Sequence, residues 1–497
     1  MTKIKIITGI VGLTLSTMIW VKPVCSQGYD GTLTFQGIDH NNLHSAGSRA
    51  MAGVSVGVKG DPGLMFQNPA ALSSLDGTQI SLGGYYFTAD SRQVQQYAPV
   101  RYYSNLSLLL EGLTDQIPDP PPDTSIFAFG TVMDTVQRPY DKIKPNWSHS
   151  HNNKLPLQAM LAIPLDFDNV KITAGIGAVE YADMNYYYQN NNILSPDILS
   201  QRPLPTLRPT DDNPIEVDWS QNILSREGQV NGYGFALAAG LKKYNISFGL
   251  SGMFLDGSTD DYHQQLGRGK LTFYSNAFRA DSVSKTVIET GTSEFSGQEY
   301  TLSGLVTGEY VSIGISVKIP TTITRKYSIR TINDINDISS SILKKGTDKL
   351  KLPWRGTIGL ALTPKDNLTI SMEYESRPYK SANYKNVNGK ETSPWLNASL
   401  FRVGIEYVIA PWLALRGGMR GQAEVFQAEG NQLEGDPVSY TIYSAGFGLF
   451  YSKLRVNITY ENSLMKYQDI WSTAISKNSE RRHTIIGQLS YELPRFW

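Results

Sequence analysis

Residues 367–375 read "NLTISMEYE", and their alternation decides the architecture. Leu368, Ile370, Met372 and Tyr374 fall on one face, while Thr369, Ser371, Glu373 and Glu375 fall on the other. Side chains of an extended chain point to opposite sides with period two, so this is a strand with one oily and one wetted face. The same reading holds for "FRVGIEYVI" at 401–409, where Phe401, Val403, Ile405 and Tyr407 oppose Arg402, Gly404 and Glu406. In "LRVNITYE", 454–461, Leu454, Val456, Ile458 and Tyr460 oppose Arg455, Asn457, Thr459 and Glu461.

Working outward, about fourteen segments carry this pattern. They lie at 78–88, 154–166, 170–181, 231–243, 244–256, 298–308, 309–319, 354–363, 367–377, 399–409, 412–422, 440–451, 453–462 and 481–493. Odd-to-even connections are long: 89–153, 182–230, 257–297, 320–353, 378–398, 423–439 and 463–480. Even-to-odd ones are tight, as in "PKDN" at 364–367 and "AP" at 410–411. An even strand number with short turns at one rim and long loops at the other describes a membrane barrel. A sandwich or propeller has no reason to sort its loops this way, and no blade-length repeat is present. Closure also removes the sheet edges that a bilayer does not tolerate. The expected fold is all-β, an antiparallel transmembrane β-barrel of about fourteen strands.

Composition agrees with that class. Lys plus Arg equals Asp plus Glu at 45 each, which leaves no electrostatic footprint for nucleic acid. No stretch beyond the N-terminus reaches the roughly eighteen consecutive apolar residues of a helical span. Mean hydropathy below zero suits a barrel, whose lipid-facing residues alternate with polar ones. Lys3 and Lys5 precede an apolar run at 6–21, and small Val24 and Ser26 follow, so 1–26 reads as a secretory signal peptide. The single cysteine, Cys25, lies on the removed side, leaving no disulfide or thiolate chemistry in the mature chain.

Residues 27–77 lack strand periodicity yet carry Phe35, Leu43, Met51, Leu64, Met65 and Phe66. Asn68 suits a helix cap and Pro69 the first helical position, with "AALSSL" able to follow. A wide barrel encloses more lumen than its own side chains fill, so this segment is expected as a folded plug. The remainder, 78–497, is then the barrel with its long external loops.

The stretch "SAGSRAMAGVSVGVKGDPGLMFQNPAAL", 45–72, resembles the N-terminal hatch of the FadL/TodX family of outer-membrane transporters for long-chain fatty acids and aromatic hydrocarbons. Members carry a similar Gly- and Ala-rich run ending in Asn-Pro-Ala, here Asn68, Pro69 and Ala70. "WRGTIGLALTPKDNLTISMEYE" (354–375) and "FRVGIEYVIAPWLALRGGM" (401–419) resemble the family's late hairpins. The chain ends on Phe496 and Trp497, similar to the terminal aromatic read by the barrel-assembly machinery of Gram-negative cells. The resemblance implies a fourteen-stranded barrel in the cell outer membrane that passively takes up a hydrophobic small molecule. It implies no enzyme activity and no cofactor, with ligand, outer-membrane lipid and the assembly machinery as partners of a monomer. In the family a kinked third strand opens the wall sideways, and Gly175 and Gly177 in "ITAGIGAVEY" would permit such a kink.

Candidate ligand contacts are Phe35, Leu43, Met65 and Phe66 of the hatch, with Leu106, Leu109 and Leu110. The last three belong to "YYSNLSLLLEGLTDQI" at 102–117, which reads as an external-loop helix with one leucine stripe. Arg355, Glu375, Arg402, Glu406, Arg416, Arg420 and Arg455 all fall on the polar, lumen-facing side of their strands. Hairpin geometry brings Glu406 within diagonal reach of Arg416 and Arg355 near Glu375. Such a ladder either satisfies itself and holds the hatch, or offers arginine to a carboxylate head group. His149-x-His151 supplies two metal ligands without a convergent third, so no metal is expected. Serines show no nucleophile-elbow spacing, so no lipase or protease is expected. A reading from another class remains. Barrels of the type IX secretion apparatus are similar to the FadL fold and bind protein cargo, a role that long loops rich in Tyr, Asn, Pro and Asp would suit.

Overall fold

The alternating stretches are strands whose ladder closes on itself. The computed structural model describes residues 33–41, 45–95, 146–192, 215–273, 278–335, 338–425, 438–471 and 474–493. The strands are β1 (Gln79–Gln95), β2 (Trp147–Asp166), β3 (Val170–Asp183), β4 (Tyr186–Asn192), β5 (Ile215–Leu241), β6 (Ile246–Phe273) and β7 (Phe278–Thr307). They continue as β8 (Val311–Lys318), β9 (Thr321–Ile335), β10 (Ile338–Leu352), β11 (Arg355–Lys365), β12 (Leu368–Ser376), β13 (Asn383–Lys385) and β14 (Glu391–Thr392). The last five are β15 (Leu400–Ala410), β16 (Leu413–Ala423), β17 (Ser439–Tyr451), β18 (Leu454–Trp471) and β19 (Ala474–Glu492). β1 pairs antiparallel with β19 from Gln79↔Glu492 to Gln95↔Ser476, which shuts the ring. β8/β9 and β10/β11 are single passages broken at Pro320 and Pro353, since proline cannot donate to a ladder. β3/β4 is a third interrupted passage, and β13–β14 is a small hairpin beside β10. Fourteen passages therefore form the wall, as the spacing predicts.

The oily faces point outward. Leu82, Phe254, Ile315, Ile405, Tyr443 and Ile485 are each more than half or nearly half exposed, while inward neighbours such as Arg402 and Glu373 are buried. A continuous exposed belt of this kind is what lipid, not water, would cover. No helix among the described residues is long and apolar enough to cross a membrane. β5, β6 and β7 run 27, 28 and 30 residues, whereas crossing a bilayer takes about 9–11. They project far beyond the belt. The connections expected as loops at 257–297, 320–353 and 463–480 are mostly the β6–β7, β9–β10 and β18–β19 hairpins. The physical reason is that alternation fades once both faces meet water. Along β10, "ISSSILKKGTDKLKL", the first eight residues are exposed on both faces.

Residues 33–41 and 45–77 lie inside the ring and run its length. Leu33 packs with Tyr188 and Leu224 at the long-connection end. Phe35 sits edge-on to Phe295 and Tyr384, each 6.0 Å between centroids. A short helix α1 (Ala46–Ala50) rests on β17 and β18, and Ala70 meets β6 near the short-turn rim. Inward glycines clear the route. A Cβ at Gly249 would stand 2.2 Å from the Ala70 nitrogen, and one at Gly404 would stand 2.5 Å from the Met51 carbonyl oxygen.

Capping departs from expectation. Pro69–Ser74 is a 3-10 turn, but the Asn68 side chain makes no cap bond, and its buried Oδ1 has no partner. The N–H that such a cap would accept belongs to Ala70, and it donates instead to Ser303 Oγ on the wall at 2.8 Å. True caps stand elsewhere: Ser45 accepts from the Ser48 N–H at 3.2 Å, and Asp61 from the Gly63 N–H at 2.9 Å. The expected leader 1–26 with Cys25, the helix 102–117, Leu43 and the terminal Phe496 and Trp497 lie outside the described residues.

Candidate functional site

The β2–β3 ladder ends at Gln158↔Val179. Above it β3 bulges between Glu180 and Ala182 and swings into the lumen. Its side chains reach across the lumen to other strands. Tyr85 of β1 donates to Glu180 at 2.7 Å, Tyr181 donates to Glu299 of β7 at 2.9 Å, and Arg482 of β19 holds Asp183 at 2.8 Å. Asn41 of the inner segment bridges to Ala182. Residues 179–183 are buried on both faces, unlike any other stretch of wall this long among the described residues.

The swing leaves a seam. Among the described residues, no ladder joins 147–157 of β2 to β3 or β4; this stretch of β2 is laddered on its β1 side alone. The seam starts at the height of Gly83–Gly84 on β1, between exposed Leu82 and Tyr86, so its lower end lies in the apolar belt. Higher up, side chains close it in place of a ladder. His149 stacks on Tyr187 with centroids 3.6 Å apart, and Trp147 meets the same ring edge-on at 5.9 Å.

Beside the seam lies a cavity of about 340 Å³. His149 and His151 of β2, and Asp183, Asn185, Tyr186 and Tyr187 of the displaced strand, line its seam side. Tyr85, Phe87, Trp395 and Leu400 add apolar surface. Arg402, Arg420 and Arg482 add charge, and Asp39 and His40 of the inner segment form part of its lining.

No family model matches the chain, and no curated protein matches it. Solved structures do. A FadL homologue of Pseudomonas aeruginosa superposes with TM-score 0.56 at 10% identity, over 90% of this chain and 98% of that one. The toluene transporter TodX of P. putida gives 0.51 at 14%, over 91% and 99%. A TodX monoaromatic hydrocarbon channel mutant gives 0.53 at 14%, over 90% and 99%. The fold is that of the FadL/TodX channels.

Within this FadL/TodX-type barrel the lumen charges form discrete buried groups. Glu406 and Arg416 stand directly opposite, not diagonally, and bond at 2.6 Å, with Arg416 also donating to Asn457 at 2.7 Å. Arg355 pairs with Glu299 at 2.5 Å and not with Glu375. The register explains it: Thr357 opposes Glu375, whereas Arg355 opposes Lys318, which also binds Glu299. Glu375 is held instead by Arg377 and Arg402. Arg420 reaches Glu461 at 2.6 Å, and Arg49 of the inner segment binds the same carboxylate. Arg455 donates to the Gly60 carbonyl at 2.7 Å. Glu373, on the polar face as its alternation predicts, accepts from the N–H of Ser55, the N–H of Val56 and the Ser55 hydroxyl. Glu461, Arg455 and Glu373 tie the inner segment to the wall.

The expected apolar contacts are placed differently. Phe35, Met65 and Phe66 are fully buried in one cluster with Tyr181, Met184 and Trp395, and none of the three lines the cavity. Leu43, Leu106, Leu109 and Leu110 lie outside the described residues. Gly175 and Gly177 sit where β3 is laddered on both sides, so the kink is not there but further on, at Glu180–Ala182. These glycines serve packing: an added Cβ would strike Met65 at Gly175 and Met160 at Gly177.

Proposed function

We propose that this chain is an outer-membrane channel of a Gram-negative cell for passive uptake of hydrophobic small molecules, acting as a monomer. The observation that carries the reading is a cavity bordered by an unladdered seam whose lower end reaches the lipid belt. A ligand enters from the long-connection side, rests in the cavity and leaves sideways between β2 and β3. The inner segment, with Asn68, Pro69 and Ala70 near its base, acts as the hatch that blocks the axial route. Long-chain fatty-acid-like amphiphiles suit the lining better than plain hydrocarbons. A hydrocarbon would desolvate the part-exposed Arg482 and Arg420 without replacing water, whereas an acid head group offers a charge-assisted partner beside Tyr85 and Phe87. Native mass spectrometry of the purified chain should find a bound amphiphile, and vesicles carrying it should take up a fluorescent long-chain acid. An empty protein and uptake equal to protein-free vesicles would sink this reading.

One observation favours protein cargo as a second reading. Residues 338–348 of β10 pair only with β9, leaving an open edge on a sheet that projects beyond the belt. An extended peptide can add to such an edge. Removing the β9–β10 projection would then abolish secretion of a cargo and leave acid uptake intact.

A further inference from the structure

Asp39 and His40 of the inner segment meet Glu424, which follows β16, at the cavity surface. His40 Nε2 lies 3.1 Å from Asp39 Oδ2 and 3.0 Å from Glu424 Oε2. All three ligand atoms fall within 4.8 Å of one another, and both carboxylates are buried. We infer that Asp39, His40 and Glu424 form a site for one divalent first-row metal ion of the Zn²⁺ class, which clips the inner segment to the wall.

The donor set and its spacing carry the inference. An imidazole Nε2 bears at most one proton, so His40 by itself serves both carboxylates only by sharing a single N–H. A metal bound at about 2.0–2.2 Å from each ligand sets neighbouring donors of a tetrahedral site about 3.3–3.6 Å apart, so the 3.1 and 3.0 Å separations on the two sides of His40 need open by only a few tenths of an ångström. One imidazole and two carboxylates, without thiolate, suit Zn²⁺ and its neighbours over softer ions. The outer partners are those a metal ligand uses. His40 Nδ1 faces the Gln422 amide at 3.4 Å, and Tyr440 hydrogen-bonds Glu424. The cavity supplies the entry path, since all three residues line it.

The clip has a consequence for the hatch. Two ligands belong to the inner segment and one to the wall, so the ion binds the seated arrangement and not the displaced one. Anything that binds one state shifts the balance toward it. Zinc should therefore slow release of the upper inner segment.

The test uses the full mature chain in detergent, carrying no histidine tag, stripped with chelator and titrated with Zn²⁺ alone by calorimetry near neutral pH. One ion per chain is expected. Glu424→Gln keeps an acceptor for Tyr440 and should weaken binding by about ten-fold or more. His40→Ala should lose it, and a His149→Ala/His151→Ala double variant should keep it. Hydrogen exchange at 38–41 should slow with Zn²⁺ in the wild type and not in Glu424→Gln. The inference is overturned by unchanged affinity in Glu424→Gln, by loss in the His149/His151 variant, or by no binding on the order of 100 µM. Heat-modifiable migration reports whether each barrel is folded, and if His40→Ala fails it, Glu424→Gln decides.

Discussion

Ala70 donates its N–H to Ser303, so a wall hydroxyl holds the first turn of the 69–74 segment. Ser303→Ala should then cost about 0.5–2 kcal/mol of local stability, the size of a lost cap. Hydrogen exchange at 70–72 is the readout. Asn68→Ala should leave that exchange unchanged, because its side chain makes no bond there to lose. Equal effects from both changes would return the capping role to Asn68. The Glu406–Arg416 pair is a second residue-scale case. The Arg416 side chain is only 7% exposed and is also anchored by Asn457, while that of Glu406 is about a quarter exposed. A double-mutant cycle on denaturant unfolding should give coupling of about 0.5–3 kcal/mol. Arg416→Ala should cost more than Glu406→Ala, since it also strips Asn457 of a donor. Full additivity would mean that solvent screens the pair.

At the scale of elements, the projecting hairpins have their own pH dependence. Glu289 lies on the projecting half of β7. The hydrogen bond from His263 at 3.1 Å, with help from Thr331 and nearby Lys344, outweighs partial burial and pulls its carboxyl down to about 2 from 4.5. A carboxyl depressed on folding contributes stability that is complete above the unfolded value. That contribution is lost as pH falls from about 4.5 through about 2. Exchange in 285–292 should therefore rise in that window, and His263→Ala should flatten the rise, because it brings the folded value back toward the unfolded one. An unchanged profile in the variant would show that His263 does not hold Glu289. These hairpins were half legible in the sequence. Where lipid meets one face, as at Ile405 and Tyr407, alternation marks the strand. Where water meets both, as at Ser339 to Lys345, it does not. The kink of β3 was illegible for a different cause. "AVEYAD" at 178–183 continues to read as an ordinary strand, and the swing is set by partners far away in sequence: Tyr85, Glu299, Arg482 and Asn41. The lumen charges were legible as inward-facing from their alternation. Their partners needed the register, which is why Arg355 was expected beside Glu375 but bonds Glu299.

At the scale of the whole molecule, two bodies with different kinds of cohesion share one space. The wall is held by a ladder that runs around the ring through β1–β19. The inner segment is held by polar contacts such as Arg49–Glu461, Ser55–Glu373, Thr459 to the Ala46 carbonyl and Arg455 to the Gly60 carbonyl. It also needs the space that inward glycines leave. Local openings follow such differences, so the segment should loosen well before the wall does. Gly404→Ala tests this directly, because its Cβ would meet the Met51 backbone, which no rotamer change relieves. Gly249→Ala applies the same pressure on Ala70 from β6, near the short-turn rim. Each should raise hydrogen exchange, at 45–58 for the first and 62–75 for the second, and increase passage of small polar solutes through reconstituted vesicles. Wall strands should stay protected and heat-modifiable migration unchanged. Gly421→Ala is the control, since nothing lies within 4 Å of its added Cβ, and it should alter neither exchange nor passage. If Gly404→Ala instead exposes β15 and β16 together with the inner segment, plug and wall are one cooperative unit, and a hatch that moves inside a standing barrel is ruled out.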